Sequence, residues 1–107
     1  MGKTIRFTYD NRDYVLEYTK RTIKRMEEDG FDYGEVEKKP MTMIPLLVKG
    51  AFLAHQRWIK DDEVDEILAV IKNKEAFYTT LSEMYAEQMK FLVDTEDEGK
   101  NVEWTVV

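Results

Sequence analysis

Ile5, Phe7 and Tyr9 alternate with Arg6 and Thr8, and after Asp10-Asn11-Arg12-Asp13 the residues Tyr14, Leu16 and Tyr18 alternate again. Period two in aromatic and branched residues predicts strands, and the Asp/Asn cluster between them predicts a turn. The pattern therefore predicts a β-hairpin over about 3–9 and 13–19, with Ile5, Phe7, Tyr9, Tyr14, Leu16 and Tyr18 on its apolar face. A hairpin alone is marginal in water, so that face must lie on helices, and its edges can accept a further strand.

Beyond Thr19 the period lengthens. Thr19 is a helix N-cap and Gly30 a stop, which predicts a short helix over about 20–29. Its apolar content is thin, Ile23 and Met26, while Lys20, Arg21, Lys24 and Arg25 make it the most basic segment. Balanced by Glu27, Glu28 and Asp29, it reads as a solvated face, with a basic patch for an acidic partner as the alternative. Gly30, Gly34 and Pro40 punctuate a connection.

The stretch Met41–Trp58 is the chain's organising segment. On a helical wheel Ile44, Leu47, Val48, Ala51, His55 and Trp58 share one face and Leu46, Gly50 and Leu53 another. Only Lys49, Gln56 and Arg57 mark a wet side. A helix apolar over most of its circumference needs neighbours on two sides, which makes this the central helix. Thr42 is its expected cap, with Pro45 tolerated in the first turn. Gly50 costs about 1 kcal/mol against alanine, which close approach of a neighbouring backbone would explain; flexibility is the other account.

Asp61-Asp62-Glu63 opens a third helix, where carboxylates meet exposed N–H groups, and Val64, Ile67, Leu68 and Ile71 form its stripe. Asn73 is expected to end it and cap a fourth helix over about 74–92, with Phe77, Leu81, Met84, Tyr85, Gln88 and Leu92 on one face. Past Val93 the chain turns acidic, and disorder is expected through about 94–101. Val102-Glu103-Trp104-Thr105-Val106-Val107 alternates again, which suits a strand added to a sheet edge, here or on a partner, or plain fraying.

The composition narrows the function. A chain of 107 residues with 43% hydrophobic and 36% charged residues is globular and large enough for its own core. It has no cysteine, which excludes a disulfide framework and thiol chemistry. Neither a membrane span nor a signal-peptide block is present, so a cytoplasmic location is expected. The net charge of −6 argues against sequence-independent nucleic-acid binding.

Catalytic constellations are missing. His55 is the only histidine, and its place on the apolar stripe reads as a partly buried structural residue. Asp61, Glu63 or His55 as acid or base would need a concave pocket around a perturbed carboxylate. The acidic run 61–66 reads as helix capping. Asp94, Glu96, Glu98 and Gly99 approach a calcium loop, but Thr105 stands where the bidentate glutamate belongs. No metal, cofactor or catalytic site is therefore expected. Methionines and aromatics at helical spacing read first as core, although methionine-rich faces also suit adaptable binding. Leu46, Gly50 and Leu53 are the candidate binding face, joined by Trp104 in the tail.

Three stretches carry a family resemblance: Thr4-Ile5-Arg6-Phe7-Thr8-Tyr9 through Arg12–Thr19 with Ile23 and Met26-Glu27; Pro45-Leu46-Leu47 through Gly50–His55; and Ile59–Ile67. Over residues 4–92 the chain resembles tail assembly chaperones of tailed phages, closest to short proteins from phages and prophages of Gram-positive bacteria. The resemblance implies a non-enzymatic protein that coats the helical tape measure protein, brings in tail tube protein and self-associates. A structural virion component, at the head–tail junction or tail tip, is the alternative. The fold expected is α+β: a hairpin on four helices over residues 1–93, then a flexible acidic tail over 94–107.

Overall fold

A computed structural model describes residues 3–91 and 102–106. Its elements are β1 (Ile5–Tyr9), β2 (Arg12–Leu16), α1 (Lys20–Glu28), a 3-10 turn (Tyr33–Glu35), α2 (Pro40–Leu53), α3 (Asp61–Val70) and α4 (Lys74–Lys90). This is the expected α+β arrangement, an N-terminal antiparallel hairpin followed by four helices.

The hairpin follows from its turn. Asp10 and Asn11 both have positive φ, 50° and 63°, as a two-residue type I′ connection requires. That turn fixes the register: Tyr9 pairs with Arg12, Phe7 with Tyr14 and Ile5 with Leu16. Tyr14 and Leu16 are buried, while Ile5, Phe7 and Tyr9 are only partly covered. Phe7 stacks on Tyr14 at 5.2 Å, and both meet Phe52 of α2 edge-on.

Helix α1 begins and ends as its sequence predicts. Thr19 and Thr22 form a reciprocal capping box. At the other end Gly30 has φ 102°, the Gly30 N–H donates to the Glu27 carbonyl, and the Phe31 N–H donates to the Met26 carbonyl. These are the bonds of a Schellman stop.

Helix α2 is central, with Met43, Leu47, Val48, Ala51 and Phe52 all buried. Its bounds differ from expectation. It starts at Pro40, with Pro at the first position, so Thr42 lies inside it and caps nothing. Pro45 is then in the second turn and removes the bond its N–H would give to the Met41 carbonyl. Met41 is exposed, so water can serve that oxygen.

The helix ends at Leu53 rather than running to Trp58, because Gln56 folds back. Its side-chain amide accepts from the Val15 N–H at 2.8 Å and donates to the Val15 and Phe52 carbonyls, each at 2.9 Å. Gln56, expected on the wet side, is thus buried. His55, expected partly buried, is exposed and pairs with Glu17 at 2.6 Å. Trp58, expected in the core stripe, is half exposed, tilted against Tyr14 and covered by the Arg12 guanidinium at 4.9 Å.

Gly50 is tight against α1, but a side chain and not a backbone fills the space. A Cβ there would overlap the Sδ of buried Met26. Val64 and Ile67 of α3 and Leu81, Met84 and Tyr85 of α4 complete the core. Asn73 precedes α4 in the left-handed region at φ 56°, without the side-chain cap expected of it. Tyr18 is buried, and its hydroxyl donates to the Leu47 carbonyl at 2.5 Å. The expected disorder over 94–101 lies outside the described residues. Residues 102–106 are exposed and belong to no strand.

Candidate functional site

Leu46 and Leu53 are seven residues apart on α2 and so lie on one face, with Lys49 and Gly50 between them. The missing side chain at Gly50 lets Met26 press α1 onto α2. Leu46 and Leu53 remain half-buried. They form part of the floor of a groove of about 1080 Å³ between α1, α2 and the start of α3.

The groove has two kinds of surface. Leu46, Leu53, Ala54 and the buried Ile59 supply apolar area, while Lys20, Arg21, Arg25, Lys49 and Arg57 line it with positive charge. Asp29 and Asp61 are the carboxylates among the lining residues, and each already has a partner, Arg25 at 3.2 Å and Lys49 respectively. Among the described residues no ion pair reaches Lys20, Arg21 or Arg57. The groove is a local positive trough on a chain whose net charge is −6.

The groove's lining suits a segment with an apolar stripe and acidic flanks.

The structure sorts the candidate residues. Leu46 and Leu53 come together in the groove. Gly50 is buried beneath Met26 and shapes the groove without facing it. Trp104 is exposed in the C-terminal segment and is not among the groove's lining residues. Asp61 is at the groove's end, paired with Lys49, whereas His55 pairs with Glu17. Among the described residues no group of three or more His, Asp or Glu is placed to hold a metal ion, and no helix is long and apolar enough to cross a membrane.

The cationic rim was legible only as the alternative reading of the basic segment Lys20–Arg25. What turns that solvated face into a groove wall is its apposition to Leu46, Leu53 and Arg57, which are distant in sequence.

The sequence profile of one family, described as a domain of unknown function (DUF5055), matches residues 1–107, and the chain belongs to that family. No curated protein and no solved structure matches it.

Proposed function

We propose that this member of the DUF5055 family is a non-enzymatic tail assembly chaperone, which holds helical stretches of a phage tape measure protein in the host cytoplasm until tail tube protein encloses them. The observation that carries this reading is the groove itself: half-buried Leu46 and Leu53 beside Lys20, Arg21 and Arg57, which have no ion pair among the described residues. Partly accessible leucines at helical spacing fit an amphipathic helix laid into a groove. The surrounding negative charge keeps such a protein soluble while it carries an apolar surface. The likeness of residues 4–92 to the phage chaperones supplies the client.

Co-expression with the tape measure protein of the same phage tests the proposal. The native chain should yield a soluble complex. Leu46→Asp and Leu53→Asp should each weaken it at least tenfold, about 1.4 kcal/mol, because a carboxylate would have to be desolvated against the client. Arg21→Glu, at an exposed rim position, tests the groove without touching the core. Normal binding by all three variants would remove the groove from the site. Recovery of the protein in purified virions would replace the chaperone with a structural component.

A further inference from the structure

The two edges of the hairpin are unlike. In an antiparallel pair the backbone groups of alternate residues point inward to the partner strand and outward to the edge. With Tyr9–Arg12, Phe7–Tyr14 and Ile5–Leu16 as the bonded pairs, Val15 on β2 and Arg6 and Thr8 on β1 point outward. On β2 that edge is closed at Val15 and Glu17, leaving only Asp13, beside the turn, without an outward backbone partner among the described residues: Gln56 takes both backbone groups of Val15, and the Glu17 N–H donates to the Ala51 carbonyl at 2.9 Å. On β1, among the described residues, nothing bonds the backbone of Arg6 or Thr8 on the outer side. The same strand is the less covered one. Ile5, Phe7 and Tyr9 are partly exposed, whereas Tyr14 and Leu16 opposite are sealed.

The chain also carries a strand-patterned segment without a sheet. Val102, Trp104 and Val106 are 87%, 81% and 85% exposed, and Glu103 and Thr105 alternate with them. The span Val102–Val106 matches the five residues of β1. Laid along β1, it would put Val102, Trp104 and Val106 beside Ile5, Phe7 and Tyr9, over the incompletely covered row. Glu103 would then share the outer face with Arg6, which has no ion pair among the described residues.

We propose that Val102–Val106 of one molecule adds as a third strand to the outer edge of β1 in a second copy, so that two molecules exchange tails. The donor and the acceptor are both unsatisfied within one molecule, and reciprocal exchange satisfies both pairs in a closed twofold dimer. The exchange uses a surface separate from the α1–α2 groove and stands whether or not that groove binds a client.

Light scattering of the full chain across a concentration series, with amide hydrogen exchange at Arg6 and Thr8, tests this. The native chain should form dimers in which both amides are protected, and protection should fade on dilution. Trp104→Pro and Thr105→Pro each alter a residue outside any helix or strand, and together they block whichever alternate set of N–H groups faces β1. At least one should abolish both the dimer and the protection, while Leu46→Asp should leave them intact. A native chain that stays monomeric, with or without protected Arg6 and Thr8, overturns the proposal, the protected case meaning that the tail pairs with its own β1. A dimer that persists in both proline variants overturns it equally.

Discussion

Gly50 and Met26 occupy one space, and a β-carbon is enough to change which of them has it. Gly50→Ala gains roughly 1 kcal/mol of helix propensity but overpacks a buried contact, which costs about 1–3 kcal/mol. Because Met26 is fully enclosed, the clash is expected to prevail, and the urea unfolding midpoint should fall. The same substitution in a Met26→Ala background should be neutral or stabilising, and a double-mutant cycle would show the coupling. Tyr18 makes a second residue-scale prediction. Burial, and then Tyr85, push its phenol well above the usual 10.0. Burial first, then Glu27, Asp32 and Tyr33, also raises Tyr85. Folding therefore favours the protonated phenols. Their contribution is complete below the unfolded value of about 10 and is lost as pH rises from there toward the folded values. Tyr18→Phe should cost about 1 kcal/mol near neutrality for the lost bond to Leu47. It should also flatten the alkaline decline, read as unfolding midpoints across that range.

Among the elements, the hairpin and α1 were the most legible, because their punctuation is local. Thr19 and Gly30 act on backbone groups within a few residues, and the Asp10-Asn11 turn imposes its own register. Asn11 tolerates positive φ, but glycine at that position suits a type I′ turn better. Asn11→Gly should raise stability by up to about 1 kcal/mol, and Asn11→Val should lower it, by urea denaturation. The end of α2 was not legible for the opposite reason. Val48, Ala51, His55 and Trp58 continue the helical period past Leu53, where Gln56 instead captures the distant Val15 backbone. Nothing adjacent to Gln56 in sequence announces that partner. The groove shares this property. Leu46 and Leu53 could be named from the wheel, but their cationic wall comes from α1, across a connection whose geometry no periodicity encodes.

At the scale of the molecule, charge is unevenly spread. The lining of the groove has five cationic residues and two carboxylates, on a chain with 16 basic and 22 acidic residues overall. A client with acidic flanks would be repelled elsewhere and drawn to one place, which affects the speed of association more than its final strength. On the proposed reading, association with the tape measure protein, followed by stopped flow, should slow as salt rises and the Debye length falls below about 8 Å. Arg21→Glu should reduce both the rate at low salt and its salt dependence, while leaving the unfolding midpoint nearly unchanged.

The placement of Trp58 gives the molecule an optical handle. Its indole rests on Tyr14 and under Arg12, so its emission colour registers whether the hairpin is seated, while Trp104 registers the surroundings of the C-terminus. With two tryptophans in all, replacing either by phenylalanine leaves a single tryptophan, which can be excited at wavelengths where the tyrosines barely absorb. Events at the two ends of the chain can then be watched separately, without any attached dye.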